Sequence, residues 1–419
     1  NTAKMLEEDP KDPGGYFIIK GTEGVVDKSE NLVLNLVHGY LDRYGKEIAR
    51  ATFQSKPGDA YENSYYLVVK YLTDNQIIVQ IVTNKYAMLE IPFYLIFRAF
   101  GMTSDADIVN NIVYGVENTD SVTKYMLDVL ERAFKAPNKD FANVLESRES
   151  NVVMSELAAK MFEIAANPKL NKDPNAVKYV YNRTVSQLDK FIFPHIGGGV
   201  GSRITKLKFM GHLIHKLLRI VMGVLPGTDR DSYRNKRVHA AGVALAKTFK
   251  TQFNFAIVQE IKKHLVKDFK NTRWSKVQLA ESVKSSINAN DLERAMIQSI
   301  ITGEKTLTIK RNEVANRVSS QQLYHKNDMN VYATLNNIST HGQSAAKATD
   351  RATDMRMAHN TYYGYIGMAQ SADTGEKVGM NKQMGSTASV TEASSSYILK
   401  EYVLRNPAIL RLDKVDPAE

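Results

Sequence analysis

Two runs of β-branched and aromatic residues, separated by a short polar turn, constrain the fold more than any other feature. The first run covers residues 65–69 and the second residues 76–82, with Thr73-Asp74-Asn75 lying between them. Runs of this composition joined by a short polar turn predict a β-hairpin. A further strand-like run, residues 16–19, follows a pair of glycines. The first quarter of the chain is therefore predicted to contain β-structure.

From Ile91 onward the hydrophobic period changes to that of helices. Pro92 at a first turn and the apolar residues up to Gly101 predict one helix. Similar spacing predicts helices at 122–134, 153–166, 175–193, 204–221, 238–267 and 276–300. Residues 304–390 are polar with weaker periodicity and predict loops and short strands. The predicted fold class is mixed α/β (α+β) with several domains.

Composition excludes several classes of site. The chain has no cysteine, which excludes disulfides, thiolate metal sites and a cysteine nucleophile. No apolar run reaches the roughly 18 residues of a membrane span, so none is expected. The first residues, NTAKMLEEDPKD, do not resemble a signal peptide and are expected to lie within a longer chain.

Positive charge is concentrated in one stretch. The net charge is +10, yet residues 203–273 contain sixteen Lys or Arg against four acidic residues. A basic region inside a nearly neutral remainder favours a polyanion near one face of the protein. Solvated helix faces would explain the same charge equally well.

Three local patterns have both a functional and a structural interpretation. The glycines of 197–201 lack the Gly-Lys-Ser/Thr of a phosphate loop, which favours an inter-helix loop. His212 and His215 could share a metal, but no third ligand is apparent, which favours packing. In residues 228–237, alternating acids and bases could stabilise their own turns, while the trailing bases could face phosphates.

Cations interleaved with polar residues in 302–383 suit contacts to a nucleic-acid backbone, and they suit a solvated loop region as well. They are Lys305, Lys310, Arg311, Arg317, Lys326, Lys347, Arg351, Arg356, Lys377 and Lys382. No Ser-His-Asp order, carboxylate pair or HExxH motif indicates an independent hydrolase.

Five short elements, in order along the chain, resemble the second-largest (beta-type) subunit of multisubunit DNA-directed RNA polymerases. The most specific is DRDSYRNKR at 229–237, which is similar to the family's DRDHYGNKR. The others are GGYFIIKGTE at 14–23, Ile91-Pro92 followed by IFRAFG at 96–101, FPHI at 193–196 and HNTYYG at 359–364. The sequences SADTGEKVGM and TDRDSYRNKRVH look most like those in the polymerases of large cytoplasmic DNA viruses, particularly asfarviruses.

The resemblance implies a domain layout named after polymerase parts. Residues 1–30 would be a first protrusion segment, 31–238 the lobe, 239–303 the returning protrusion segment, 304–390 the fork and 391–419 the start of an external domain. One departure stands out, because the family's ETPEG is replaced by other residues within 369–379. The family's Glu and Pro are therefore not at their expected positions, so the resemblance does not imply an acidic side chain near the nucleotide here.

The resemblance also implies a role. Lobe and protrusion would form one wall of the DNA cleft, and the fork would approach the RNA–DNA hybrid and downstream DNA. No catalytic residue and no metal ligand is expected in this chain, since the Mg²⁺ of the assembled enzyme would be held by aspartates of the largest subunit. The candidate nucleic-acid contacts are Lys305, Lys310, Arg311, Arg317 and Gln321 near a first fork loop, and Lys347, Arg351 and Arg356 near a second loop at about 336–353.

The expected partners are the largest and smaller polymerase subunits, template and non-template DNA, the hybrid and initiation factors, with no membrane. The expected location is the host cytoplasm (the viral factory) and the virion for a viral enzyme, and the nucleus otherwise. Two other classes stay open at this point. One is a standalone DNA-binding protein using the basic stretch, and the other is a module that docks only to proteins.

Overall fold

A computed structural model describes residues 12–41, 45–57, 64–82, 89–114, 121–165, 182, 185–271, 276–287, 289–301, 320–340, 356–371, 378–391 and 397–406. The chain divides into two compact units. We call Leu32–Asp231 the inserted unit, and Asn1–Asn31 together with Ser232–Glu419 the split unit. The chain thus begins one unit, builds the other, and returns to the first.

The described strands are, in chain order, β1 (Phe17–Ile19), β2 (Thr22–Val26), β3 (Lys28–Leu32), β4 (Val37–Leu41), β5 (Glu47–Ser55), β6 (Tyr65–Leu72), β7 (Ile77–Val82), β8 (Leu89–Pro92), β9 (Lys236–His239), β10 (Ser320–Gln322), β11 (Asn337–Ser339) and β12 (Asn381–Gln383). The described helices are α1 (Phe93–Ala99), α2 (Asp105–Ile112), α3 (Ser121–Lys135), α4 (Ser150–Ala165), α5 (Arg203–Val221), α6 (Ala241–Phe253), α7 (Glu260–Asn271), α8 (Lys276–Ser286), α9 (Ala289–Ile301), α10 (Asp328–Leu335) and α11 (Tyr397–Arg405). A π-helical segment, Asn254–Gln259, joins α6 to α7. The predicted mixed α/β class is confirmed.

The inserted unit is built on a five-stranded antiparallel sheet in the order β4-β5-β6-β7-β8. The predicted hairpin is confirmed as β6 and β7, which pair from Tyr66 opposite Val82 to Tyr71 opposite Ile77. Asn75 adopts a positive φ of 64° in the turn, a conformation that asparagine tolerates better than most residues. Alternate residues of the central strands, among them Val69 and Val79, are fully buried.

Helices pack against this sheet and complete one large core. The predicted helix after Ile91 is confirmed as α1, whose seven residues are all buried, although Ile91 and Pro92 themselves end strand β8. Helix α5 contacts β4, β5 and β6, and it crosses α2 closely at Gly211. A Cβ atom there would lie 2.6 Å from the backbone oxygen of Asn111, so only glycine fits.

Several titratable side chains are buried in the inserted unit. Partial or full desolvation lowers the pKa of four histidines, of which His38 and His215 are buried, His195 is half-buried and His212 is exposed at its surface. Burial also lowers the pKa of Lys206 to about 8, although Asp189 opposes the shift. The favoured interpretation of His212 and His215, packing or a surface role, agrees with the structure: His215 is buried and stacks on Tyr114 at 4.5 Å between ring centroids, and His212 is exposed and contacts the Tyr114 hydroxyl.

The split unit contains two small sheets. One is antiparallel in the order β1-β2-β10, and the other has the order β12-β11-β3-β9. In the second sheet β11 runs parallel to β3 and antiparallel to β12. Strands from residues 28–32, 236–239, 337–339 and 381–383 therefore meet in one sheet, although the chain separates them widely.

Three helix predictions need correction in the split unit. The helix predicted at 238–267 begins only at Ala241, because Lys236–His239 forms strand β9 in the sheet with β3. The helix predicted at 276–300 is two helices, α8 and α9. Within 304–390, helix α10 lies where only loops and short strands were predicted, and its N-cap Asn327 accepts a hydrogen bond from the Asn330 amide.

Two other expectations fall partly outside the described residues. Of the helix predicted at 175–193, residues 185–191 are described and helical. The proposed second fork loop at 336–353 is described only to residue 340, and its beginning is strand β11 instead of a loop. None of the described helices combines the length and apolar character needed to cross a bilayer.

Candidate functional site

A buried carboxylate, Glu30 on β3, is the centre of a polar site formed by several described residues of the split unit. Its side chain is only 1% exposed. Oε1 accepts hydrogen bonds from Lys382 Nζ at 2.7 Å and from Thr340 Oγ1 at 2.9 Å, and it lies 3.3 Å from Lys236 Nζ. Oε2 accepts from the Tyr233 hydroxyl at 2.9 Å. We call these five residues the Glu30 network.

The electrostatics of the Glu30 network keep the carboxylate ionised. Burial alone would raise the pKa of Glu30, but the ammonium groups of Lys382 and Lys236 outweigh that effect and hold the pKa below its ordinary value. Burial, followed by the neighbouring Glu30 charge, raises the pKa of Tyr233, so its phenol stays protonated and donates. One negative charge is thus surrounded by two positive charges and two hydroxyl donors.

Aromatic rings enclose the Glu30 network. Tyr362 is buried, and its hydroxyl accepts a hydrogen bond from Lys382 Nζ at 2.9 Å. The same Nζ lies 4.7 Å from the Tyr362 ring centroid, within cation–π range. The Tyr233 and Tyr362 rings meet edge to face at 5.1 Å. Ile338 and Ile366 pack beside Tyr362 in a small apolar cluster.

The backbone joins the same two segments a second time. The Tyr233 amide donates to Thr361 Oγ1 at 2.8 Å. His359 Nδ1 accepts from the Thr361 amide at 3.2 Å and lies 2.8 Å from Thr361 Oγ1, so the threonine hydroxyl donates to it. The site therefore brings together two elements singled out in the sequence, residues 229–237 and residues 359–364.

The structure shows which contacts the residues of the 228–237 cluster make within the protein. Asp229 Oδ1 accepts from the Asp231 amide at 3.0 Å, as expected for a self-stabilised turn. Lys236 is nearly buried and pairs with Glu30. Arg237 is exposed, and its guanidinium donates to the Arg234 and Lys236 carbonyls. The described contacts of these bases are therefore made within the protein.

The N-terminal part of the basic stretch 203–273 is also structural. Arg203 forms a two-pronged pair with the Asp189 carboxylate at 2.6 and 2.7 Å. Lys206 is fully buried and donates to the Asp189 carbonyl, and Lys216 donates to the Val37 carbonyl at 2.8 Å. These cations stabilise the inserted unit, so the local charge excess overstates the positive surface there.

Of the eight candidate nucleic-acid contacts, two lie among the described residues. Gln321 donates to Asp27 Oδ1 at 2.9 Å, and Arg356 donates to the Val378 carbonyl at 3.0 Å. The other six, Lys305, Lys310, Arg311, Arg317, Lys347 and Arg351, lie outside the described residues. Lys382, grouped with the loop cations on sequence grounds, fits neither of the two interpretations offered for that group, because it is buried against Glu30.

Sequence reasoning did not find Glu30 or its partner Thr340. Glu30 lies in the polar segment Lys28-Ser29-Glu30-Asn31, which carries no apolar alternation that would indicate a buried strand. The described residues contain no group of three or more His, Asp or Glu side chains that could hold a metal ion. The Glu30 network is a buried ion network that holds backbone segments together.

Comparison with known proteins identifies the family. Residues 60–239 match the family description "RNA polymerase Rpb2, domain 2", and residues 321–390 match "RNA polymerase Rpb2, domain 3". The two matches together cover more than half of the chain. Both include sequence elements that meet at the Glu30 network.

Complete relatives show the same relationship. The chain is 25% identical over 95% of its length to DNA-directed RNA polymerase II subunit 2 of Arabidopsis thaliana, covering 31% of that protein. It is 28% identical over 72% of its length to subunit Rpo2 of Sulfolobus acidocaldarius, covering 24%. It is 26% identical over 92% of its length to DNA-directed RNA polymerase subunit 2 of Acanthamoeba polyphaga mimivirus, covering 31%. The chain thus spans about a quarter to a third of the length of these relatives. It belongs to the family of RNA polymerase second-largest subunits.

Proposed function

We propose that this chain acts as part of the second-largest subunit of a DNA-directed RNA polymerase and is inactive alone. The observation that carries the proposal is the Glu30 network, which joins the two segments most similar to the family's motifs by buried, charge-assisted contacts. A network of this kind positions backbone segments rigidly. Rigid positioning suits a wall that must hold nucleic acid in register while another chain performs the chemistry.

The proposed domain layout follows from the same family relationship. The inserted unit, Leu32–Asp231, supports assigning about residues 31–238 to the lobe. The match of residues 60–239 to the second domain of the family supports the same assignment. The segments 1–30 and 239–303 are then assigned to the protrusion, 304–390 to the fork and 391–419 to an external domain. Lobe and protrusion would form one wall of the cleft that holds DNA.

The proposed chemistry is nucleotidyl transfer by the assembled enzyme. In such reactions two metal ions stabilise the attacking and leaving oxygens. In this proposal, as the family resemblance implies, aspartates of the largest subunit hold the magnesium ion. The contribution of this chain is positive charge and shape, which act on phosphates without sequence preference.

The fork cations are the proposed nucleic-acid contacts. Lys305, Lys310, Arg311 and Arg317 are proposed near the RNA–DNA hybrid, and Lys347 and Arg351 near the point where downstream DNA strands separate. Gln321 and Arg356 act differently in this proposal. Their described hydrogen bonds to Asp27 and Val378 would fix the segments that lead into the two loops.

The proposed partners are the remaining polymerase subunits, both DNA strands, the RNA–DNA hybrid and initiation factors. The relative from mimivirus shows that the family includes enzymes of large DNA viruses. A viral enzyme would work in the host cytoplasm and be packaged in the virion, whereas a cellular one would work in the nucleus.

The test uses the complex that contains this chain, purified from its source and assembled on a scaffold of template DNA and short RNA. We expect Mg²⁺-dependent RNA extension, and crosslinks from photoreactive bases in the hybrid to peptides within 302–353. A solitary chain that binds DNA tightly, with no partner subunit and no extension, would refute the proposal and favour a standalone DNA-binding protein. Partner subunits with no nucleic-acid crosslink to 302–353 would refute the fork assignment and favour a protein-docking module.

A further inference from the structure

Residues from three separate parts of the chain meet at one point beside the Glu30 network. The Thr340 amide, directly after strand β11, donates to the Met380 carbonyl at 2.9 Å. The Arg356 guanidinium donates to the Val378 carbonyl at 3.0 Å. Gly379, between these two acceptors, lies against the Arg356 backbone. We call Thr340, Arg356, Val378, Gly379 and Met380 the loop junction.

Gly379 leaves no room for a side chain in the loop junction. Its φ of 67° lies in the left-handed region that favours glycine. A Cβ atom there would lie 2.5 Å from the Arg356 Cα and 2.7 Å from the Arg356 carbonyl carbon. Both are backbone atoms, so they cannot turn aside as the end of a flexible side chain can. Any larger residue at 379 must therefore displace the chain at 356.

The loop junction holds both ends of residues 341–355, which include most of the proposed second fork loop. The chain enters this segment from Thr340 and leaves it at Arg356. These two residues contact Met380 and Gly379, which are neighbours in the chain. The two ends are thus fixed side by side, and a displacement at one point of the junction moves both.

The loop junction is built directly on the Glu30 network. Thr340 belongs to both, because its amide bonds Met380 while its hydroxyl donates to Glu30 at 2.9 Å. Two residues after Met380, the buried Lys382 donates to the same carboxylate. Buried, charge-assisted contacts of this kind hold backbone rigidly. The two ends of 341–355 therefore start from a fixed base.

The stretch that replaces the family's ETPEG, residues 369–379, ends in the loop junction. Before the undescribed residues 372–377, Ser371 Oγ accepts from the Gln383 amide at 3.3 Å and donates to the Gly367 carbonyl at 2.9 Å. After them, Val378 supplies the carbonyl that accepts from Arg356. In this chain, the end of the replaced stretch thus receives the segment that returns from the second fork loop.

We infer that Gly379 and Arg356 are positioning residues for the DNA contacts of the second fork loop; this rests on the proposed function. Phosphates follow one another at regular intervals along DNA, so cations meet them best from a base that keeps its place. Gly379 and Arg356 supply that base without touching DNA themselves. The cations that they position are Lys347 and Arg351.

The test measures how salt weakens retention of downstream duplex DNA by the assembled enzyme. Gly379→Ala removes no charge, yet it should lower the slope of log retention against log salt by about two charges, because Lys347 and Arg351 lose their alignment. Gly364→Ala is the matched control, since Gly364 has a similar φ of 82° but open space where a Cβ would lie. Its slope should equal that of the wild type. A smaller folded fraction would reduce the amount of DNA retained without changing the slope.

A second variant decides the question even where Gly379→Ala prevents assembly of the enzyme. Arg356→Met removes the hydrogen bond to Val378 and should also lower the slope by about two charges. Neither Arg356→Met nor Gly379→Ala should lower it further in a background of Lys347→Ala and Arg351→Ala, because the positioned cations are already absent. A direct contact of Arg356 with DNA would instead lower the slope by about one charge in that background.

Three results would overturn the inference: a slope unchanged by Arg356→Met or by an assembled Gly379→Ala enzyme, an equal fall in Gly364→Ala, or a further fall in the Lys347→Ala and Arg351→Ala background. Failure of the proposed function is distinguishable. It would appear as a wild-type preparation without RNA extension. An unchanged slope in the Lys347→Ala and Arg351→Ala enzyme would refute the fork assignment together with the inference drawn from it.

Discussion

Removing the charge at the centre of the Glu30 network should destabilise the split unit selectively. Glu30→Gln keeps the size of the side chain but removes the negative charge that the ammonium groups of Lys382 and Lys236 face. The Lys382 side chain is only 4% exposed and that of Lys236 10%, so water cannot replace the carboxylate. Breaking a buried pair by removing one partner typically costs about 3–5 kcal/mol.

Hydrogen–deuterium exchange measures this cost where it arises. The amides of Ile366 and Gly367 donate to the carbonyls of Tyr362 and Gln383, so both report on the segment held by the network. A loss of about 3–5 kcal/mol would lower their protection by roughly two to nearly four orders of magnitude. Amides of the central strand β6, such as Val69, should be unaffected because they belong to the inserted unit.

Two further variants make the result interpretable. Glu131→Gln on α3 removes an exposed pair with Lys135 and should cost at most about 0.5 kcal/mol. Lys382→Met combined with Glu30→Gln should be less damaging than the sum of the two single changes, because the partners are removed together. Unchanged protection at Ile366 in Glu30→Gln, or equal loss at Val69, would refute the argument that the network holds this segment.

The same network predicts a sign for the effect of acid. The pKa of Glu30 is lower in the folded protein than its ordinary value of 4.5, so the folded state favours the ionised form. Its contribution to stability is therefore present above about pH 4.5 and is lost as the pH falls through the folded pKa. Protection at Ile366 should decline over that range in the wild-type protein, and the decline should be smaller in Glu30→Gln.

Three other predictions address the inserted unit and the fork. Gly211→Ala should destabilise the inserted unit by about 1–3 kcal/mol in urea unfolding because its Cβ meets the Asn111 backbone, whereas Gly201→Ala, with open space around it, should not. Burial lowers the pKa of His195 below 6.5, so the unfolded chain binds a proton more readily than the folded one and the inserted unit should lose stability as the pH falls below about 6.5. His195→Gln should reduce the slope of unfolding free energy against pH by up to about 1.4 kcal/mol per pH unit. An unchanged slope would contradict this. In the assembled enzyme, Arg317→Ala should weaken retention of the RNA–DNA hybrid and reduce its salt slope by about one charge, and an unchanged slope would count against that contact.

The parts of the fold that sequence predicted correctly are those encoded by near neighbours. The hairpin of β6 and β7 and the helix α5 follow from spacing within about 20 residues. Helix α6 begins later than predicted because Lys236–His239 joins the sheet that contains β3, about 200 residues earlier in the chain. Glu30 and Lys382 are separated by 352 residues, so no local pattern could indicate that either is buried.

The chain order of the two units has a consequence for how the protein folds during synthesis. The inserted unit joins its own ends, because the Thr228 amide donates to the Gly39 carbonyl and the Gly39 amide donates to Thr228 Oγ1. Once the ribosome has made this unit, the excursion of about 200 residues between β3 and β9 acts as a loop of only about fifteen, which lowers the entropy cost of pairing by roughly 2 kcal/mol. Strand β3 must nevertheless wait for β11 and Lys382, so Glu30 is made early and gains its second ammonium partner only late. A ribosome that stalls before residue 382 would leave the buried carboxylate without the Lys382 ammonium, which makes the final third of the chain the step that completes the Glu30 network.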